Sequence, residues 1–400
     1  LAGASSAFGL ESFFYPFFLI RIAAGPLFPR FNFPLVTLPI VLQALGGLLI
    51  LFSLIPLVRH DNWIFRVFEY PRAQKFLLLL VVLVLFLVLH GAHRWSDWVF
   101  VGVATANLGY LFFQLFPYTS LAKVQLLRTR QAPPERTIRL MICNVYQYNR
   151  HADRLLALVT RYDPDLVLLA ETDRWWAAQT RSLEVGYPHC ELVPLDNTYG
   201  MLLYSRLELR DTEVKYLVEE GIPSIHTKVL LPSGEPIQLF CLHPTPPVPQ
   251  ENPRSTERDK EILMVGKMAK ASPIPVIVAG DLNDVAWSYT TDLFQKTSGL
   301  LDPRRGRGFF NTFHAWYPWL RFPLDHIFCS TDFKLVHIER MPPCGSDHFP
   351  MFVHLAYDPQ APQQQEEPTA TAEEKETAQE KIAADTDDEP ARPERNPAGT

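Results

Sequence analysis

The stretch Val276–Asp284, VIVAGDLND, decides the fold. Three β-branched residues and an alanine run without alternation into Gly280, and then into Asp281, Leu282, Asn283 and Asp284. An unalternating apolar run of this length reads as a strand buried on both faces, and the polar residues after the glycine mark the turn that ends it. Such a strand delivers its polar end to a rim where neighbouring strands also finish, and a site can assemble there.

Working outward, the same arrangement recurs. Short apolar strands are expected over Ile138–Cys143, Leu166–Ala170, Gly200–Tyr204, His226–Leu231, Ile237–Leu242, Pro275–Ala279, Leu324–Cys329 and Met351–Leu355. Helices are expected over Ala152–Tyr162 and Arg254–Ala271, so this is an α/β domain. Polar residues stand at or near the strand ends: Asn144 in MICNVYQYN, Glu171 in LVLLAET, His243 in LFCLHPTPP, Asp281 and Asn283 in the opening stretch, Asp325 and His326 in PLDHIF, and Asp347 and His348 in GSDHFP. Taken singly each is weak, since a strand-end carboxylate is usually solvated and GDLN alone reads as a turn. Their joint occurrence in this order is the signal.

The flanking regions differ in kind. Net charge is +6 over residues 1–130, −5 over 131–359 and −7 over 360–400. The middle region therefore lacks the broad positive field of a protein that coats nucleic acid, which argues against a tight, processive nuclease while leaving room for a local basic cleft. Five cysteines, an odd number with no CxxC, argue against a disulfide scaffold or a zinc site.

Phe76–Leu89 is the unbroken apolar run FLLLLVVLVLFLVL. Extended to Ala73–Ala92, with Lys75 snorkelling, it is long enough as a helix to cross about 30 Å of hydrocarbon. Leu35–Val58 and Trp98–Phe116 read as two further spans, the last with Thr105, Asn107 and Gln114 on a packing face. Phe8–Phe33, aromatic but broken by prolines and arginines, reads as interfacial. Arg59, Arg66, Arg72 and Lys75 share one side with Lys123, Arg128 and Arg130, against Arg21, Arg30 and Arg94 on the other. That bias places the middle region on the cytoplasmic side of a membrane. The resulting plan is an interfacial segment at 1–34, three transmembrane helices within 35–118, a polar linker at 119–136, a catalytic domain at 137–357 and an acidic tail at 358–400. The tail has no aromatic residue after Tyr357 and is expected to be disordered, the alternative being a helix around Ala372–Ala384.

The ordered set of strand-end residues resembles the endonuclease/exonuclease/phosphatase superfamily, the metal-dependent phosphoesterases that include DNase I-like nucleases, sphingomyelinases and inositol polyphosphate phosphatases. The resemblance runs from about Arg136 to Leu355, and YGMLLYSR at 199–206 is similar to the family's glycine-containing strand. Three spans followed by this domain resemble bacterial inner-membrane members. The resemblance implies a four-layer α/β sandwich of two packed mixed sheets flanked by helices. It implies Mg2+, with Mn2+ as a substitute, held by Glu171 with Asn144 and Asp347. It gives Asp281 the attacking water, Asn283 a phosphate oxygen and the holding of Asp281, and His348 the phosphoryl group, oriented by Asp325. His243 would serve the leaving group or the phosphate. Tyr146 stands where the family often has a second Asn or Asp, and Asn149 is the residue nearby that can compensate. Arg304, Arg305 and Arg307 beside Phe309, Phe310, Phe313, Trp316 and Trp319 are candidates to clamp a phosphate or stack a base, or else to pack the domain or touch the bilayer. So the expected substrate is a phosphoester in nucleic acid, phospholipid or a small phosphorylated molecule. The alternatives are a sphingomyelinase-like lipid hydrolase and an inactive membrane scaffold.

Overall fold

Helix α1 (Thr37–Leu54), the short α2 (Trp63–Arg66), α3 (Arg72–Leu89) and α4 (Trp95–Leu115) lead the chain in the computed structural model, which describes residues 37–386. The interfacial segment expected at 1–34 and the last part of the tail lie outside the described residues. Over Leu38–Leu57, Arg72–Leu89 and Trp95–Tyr118 the chain is helical, long enough and apolar enough to cross a membrane. Leu42, Leu49, Leu79, Phe86 and Ala104 pack the three helices together, while Val88 and Phe113 stay exposed. Asn107 is buried on the packed face as expected, whereas Thr105 faces outward. Lys75 does not snorkel: its Nζ donates to the carbonyls of Phe52 at 2.9 Å and Phe68 at 2.6 Å, closing the helix ends that lack intrahelical partners.

The connection between α1 and α3 is a strap laid over the following domain. Trp63 N donates to Pro253 O, and Ser255 N to Asp61 O, each at 2.8 Å. The Tyr70 hydroxyl donates to Asn283 O at 2.8 Å, and the Arg72 guanidinium to Trp287 O. Arg66, counted in the sequence as a loop charge, is buried against Glu69 and Asp259. Residues 119–136 are not a free linker either, because Leu126 is wholly buried in the domain core and Leu335 N donates to Leu127 O.

The domain holds two mixed sheets. Its chain order is β1 (Thr137–Asn144), α5 (Ala152–Tyr162), β2 (Leu166–Ala170), α6 (Arg174–Thr180), β3 (His189–Val193), β4 (Met201–Ser205), β5 (Leu209–Lys215), β6 (Ser224–Leu230), β7 (Pro236–Leu242), α7 (Thr256–Ala271), β8 (Val276–Asp281), α8 (Tyr289–Ser298), β9 (Asp325–Cys329), β10 (Phe333–Arg340), β11 (Met351–Tyr357) and α9 (Ala372–Ala383). One sheet runs β10-β11-β1-β2-β4-β3 and the other β5-β6-β7-β8-β9. The parallel pairs β1/β2 and β7/β8 sit inside otherwise antiparallel sheets. The two-residue period of a strand sends Ile138, Leu140 and Ile142 into the core between the sheets, and Met141 and Cys143 outward under α5 and α6. On the other side Phe240, Val276, Val278 and Phe328 lie under α7 and α8. The result is the four-layer sandwich with two mixed sheets, as expected.

Up to its last described residue the acidic tail follows the alternative expectation, a helix at Ala372–Ala383, rather than disorder. A capping box between Thr371 and Glu374 opens α9, Ala378 is buried against the α7 layer, and Lys381 donates to Asp259 Oδ2 at 2.8 Å. The sequence carried the cap, but its apolar contacts are only Ala378 and the partly buried Ile382, too few to register as an amphipathic stripe.

One buried carboxyl on α7 makes stability depend on pH. Glu261 Oε1 has no hydrogen-bond partner, and burial, with the Glu219 charge adding, pushes its carboxyl up to about 8 from an ordinary 4.5. Unfolding therefore releases this proton throughout the interval between those values, so stability declines as pH rises from about 4.5 to about 8 and levels off above. In Glu261→Gln this contribution is absent, and between pH 4.5 and about 8 the thermal midpoint is expected to fall less than in the parent. Equal slopes in the two proteins would contradict this account.

Candidate functional site

The parallel pairs set the site, because parallel neighbours end on the same rim. In one sheet β1 ends at Asn144, paired with Ala170, and Glu171 follows β2. In the other, β7 ends at Leu242, His243 follows, and β8 ends at Asp281, whose register partner is Asp325 at the start of β9. Gly280 lets these strands approach: it has φ of 144°, and a Cβ there would lie 2.0 Å from Leu242 O. The turn before β11 brings in Ser346, Asp347 and His348.

The amide of Asn144 joins the two sheets, its Nδ2 donating to Glu171 Oε1 at 2.7 Å and to Asp281 Oδ2 at 3.0 Å. His348 lies between two carboxylates, with Nδ1 2.7 Å from Asp325 Oδ2 and Nε2 3.5 Å from Asp281 Oδ2. Burial by itself would lower the proton affinity of His348, but Asp325 and Asp281 outweigh it and raise the imidazole to about 10. Asp325 is buried too, yet the adjoining His348 holds its carboxyl below the ordinary range. Burial pushes Asp281 up to about 6, against the opposing pull of His348. Burial likewise pushes Glu171 up to about 7, opposed by the Asn144 hydrogen bond and reinforced by the Asp347 and Asp281 charges. His243 is buried with its ring 5.3 Å from Tyr199 and its Nδ1 without a partner, and burial lowers it to about 4, so it stays neutral at physiological pH.

Asn144, Glu171, Asp281, Asp325 and His348 thus come together, with His243 and Asp347 at the rim. Asn283 sits beside them with its side chain engaged: Nδ2 donates to Pro244 O at 2.9 Å, so it is the backbone N–H that holds Asp281 Oδ1, also at 2.9 Å. Asn149 bonds the carbonyls of Val145 and Cys344 and shapes a turn. His326 is buried between Arg304 and the Asp284 carbonyl. The arginines do not form a phosphate clamp: Arg304 is paired with Asp302, Arg305 with Asp292, and Arg307 caps the Leu126 and Pro303 carbonyls. Trp287 packs with Leu115, Tyr118 and Phe309 where the helices meet the domain. A cavity of about 510 Å3 opens there, lined by Arg59, Arg72, Trp287 and Tyr289 among others and by none of Asn144, Glu171, Asp281, Asp325 or His348.

Several contributors carried no sequence signal. Gln147 N donates to Glu171 Oε2 at 3.3 Å. Ser346 Oγ donates to Asn144 O at 2.8 Å and accepts from His348 N at 3.0 Å, so one hydroxyl ties the SDH turn to the end of β1. The Phe313 ring lies 5.0 Å from the His348 imidazole. SDH flagged the serine only as a neighbour of its two functional residues.

Among the described residues, Asp281, Asp325 and His348 bring ligand atoms within 4.8 Å of one another, a group able to hold a metal ion. Both ring nitrogens of His348 already face carboxylates, so a cation there would displace a proton that two charges retain. Beside Glu171 stand the Asp347 charge and the Asn144 amide, which turns Nδ2 to Glu171 while its Oδ1 accepts from Tyr146 N at 3.0 Å, so the hard oxygens of the site are those of its carboxylates. This set suits Mg2+ or Mn2+, and a divalent charge would balance the carboxylates that now raise Glu171.

The sequence profile of the Endonuclease/Exonuclease/phosphatase family matches residues 141–348, just over half of the chain. No curated protein sequence matches. Among solved structures, that of D. rerio TDP2 complexed with single strand DNA product is 20% identical, covers 55% of this chain and 98% of its own, and gives a TM-score of 0.46. The human Nocturnin catalytic domain with bound sulfate anion is 17% identical, with coverage of 60% and 99% and a TM-score of 0.46. An endonuclease/exonuclease/phosphatase from Beutenbergia cavernae DSM 12333 is 18% identical, with coverage of 56% and 72% and a TM-score of 0.45. With the profile spanning both sheets and every strand-end cluster from β1 to the SDH turn, the chain belongs to the endonuclease/exonuclease/phosphatase family of phosphoester hydrolases.

Proposed function

We propose that this chain is a membrane-anchored phosphoesterase, dependent on Mg2+ or Mn2+, that splits a phosphodiester or phosphomonoester by attack of water. The observation that carries the reading is the His348 imidazole held between Asp325 and Asp281, with Asn144 joining Asp281 to Glu171. Glu171, Asn144 and Asp347 would hold the cation, whose charge offsets that of the phosphoryl oxygens. Asp281 orients the water and takes its proton. His348 donates to a phosphoryl oxygen as charge builds there, and Asp325 keeps it protonated and aimed. His243, neutral and with a free Nδ1, is available to the phosphate or the departing oxygen. The water oxygen bonds to phosphorus, the ester P–O bond breaks, and a proton ends on the released alcohol. The three apolar helices anchor the chain, and the strap and the 119–136 segment lie together on the domain's side, which agrees with a cytoplasmic domain.

The test is turnover of bis(4-nitrophenyl) phosphate, phospholipid, single-stranded DNA and nucleotides by the full chain in detergent, with and without Mg2+. Metal-dependent release of product from at least one of them is expected. Failure on all four, with no Mg2+ bound by calorimetry, would favour the inactive scaffold.

A further inference from the structure

The segment from Thr312 to Phe322 leaves the catalytic cluster and returns to it. At its root Thr312 O accepts from Phe349 N, Phe313 N donates to Phe322 O at 3.0 Å, and Ala315 N donates to Asp347 O at 2.6 Å. Phe313 lies against His348, and the Trp316 ring meets Tyr146, two residues after Asn144, edge-on at 5.6 Å. The tip is Trp316-Tyr317-Pro318-Trp319-Leu320, with relative exposures of 50%, 56%, 80% and 52% for its four large apolar residues. A loop tip that leaves two tryptophans, a tyrosine and a leucine in water is costly unless something apolar covers it.

The other side of this segment touches α3. Gln74 Nε2 donates to Trp319 O at 3.0 Å and to Arg321 O at 3.4 Å, and Tyr70 packs edge-on against Phe322 at 5.7 Å. Gln74 lies in the first turn of α3, and the outward-facing Leu77 and Leu78 begin one turn later. Eighteen residues of helix span about 27 Å, close to the hydrocarbon thickness, so the first turn of α3 sits where hydrocarbon gives way to headgroups. Trp319 is held at that level, the depth at which Trp and Tyr side chains concentrate in membrane proteins.

We propose that the 316–320 tip lies in the headgroup region of the bilayer and that the cleft beside it takes its phosphoester from the membrane, namely the headgroup phosphate of a lipid whose chains remain in the bilayer. This deepens the phosphoesterase reading and rests on it. The bilayer is the occupant of the exposed tip because the tip continues the lipid-facing surface of α3. A nucleobase stacked on the same rings is the competing occupant.

The experiment uses the full chain in phosphatidylethanolamine–phosphatidylglycerol nanodiscs with Mg2+. Brominated lipid is expected to quench tryptophan fluorescence, and less so in Trp319→Phe. Turnover is then read on phosphatidylglycerol and phosphatidic acid, each as the dioleoyl form in the disc and the dihexanoyl form in solution, beside bis(4-nitrophenyl) phosphate and a single-stranded oligodeoxynucleotide. The dioleoyl form of at least one lipid is expected to be preferred by at least about tenfold, equivalent to about 1.4 kcal/mol. Trp319→Ser/Leu320→Ser is expected to lose that preference while keeping turnover of bis(4-nitrophenyl) phosphate. Unchanged quenching in Trp319→Phe would overturn the proposal, and so would loss of oligonucleotide rather than lipid turnover in the double variant. Cleavage of the soluble ester with no lipid product would sink the membrane substrate and leave the phosphoesterase standing. Cleavage of nothing would sink both, while the quenching still locates the tip.

Discussion

Glu171→Gln is expected to lower turnover of bis(4-nitrophenyl) phosphate by about 10^3-fold, on the order of the several kcal/mol that a cation contributes to such a reaction. Glutamine keeps the shape and an oxygen for the Asn144 Nδ2 hydrogen bond, so the link between the sheets survives. What disappears is the one full negative charge flanked by Asn144 and, through its backbone N–H, Gln147. Because burial and the Asp347 charge already press on this carboxylate, removing its charge relieves the fold, and the thermal midpoint should hold or rise. Calorimetry should show Mg2+ affinity falling in step with rate. A variant that works at the parental rate, or binds Mg2+ as tightly, would remove Glu171 from the proposed metal set.

Asp325→Asn is expected to cost about 10^2- to 10^4-fold in turnover, the range for losing a positioned proton-handling group. Asp325 does not face the substrate in this account. It acts through His348, to which it is bonded at 2.7 Å, and with Asp281 keeps that ring protonated in a place where burial alone would strip the proton away. The variant should therefore show two changes that a merely structural residue would not produce together. The rate falls, and the imidazole of His348, followed by nitrogen NMR, loses its imidazolium signature at neutral pH. A normal His348 spectrum accompanied by slow turnover would point to a different role for Asp325.

The centre of the domain was legible because its strands are buried on both faces, and such strands are written as unbroken apolar runs. β1, β2, β4, β7, β8, β9 and β11 are largely of this kind, and they carry or flank every residue of the candidate cluster. The edge strands β3, β5 and β10 went unread. β3 and β5 are edge strands with no fully buried position, and β10 mixes buried and half-buried positions along FKLVHIER, so none displays an apolar run. The strap and Leu126 were illegible for another reason. Their partners lie far along the chain, and charges such as Arg66 look solvated until the carboxylates that bury them are in place. The arginines at 304–307 looked available to a phosphate because the sequence does not show that Arg304 folds onto Asp302, Arg305 onto Asp292 and Arg307 onto the Pro303 and Leu126 carbonyls.

The strap between α1 and α3 makes the apolar helices more than an appendage of the hydrolase domain. Its hydrogen bonds reach Pro253, Ser255 and Asn283, residues synthesised long after α3, and one of them meets the backbone of the DLN turn that orients Asp281. The helical hairpin therefore serves as part of the scaffold of the reaction centre, and the centre is complete only when two distant portions of the polypeptide have docked. A protease that nicked the 119–136 connection would not set free an intact domain: the released fragment would leave behind Tyr70 and Arg72, which hold the carbonyls of Asn283 and Trp287.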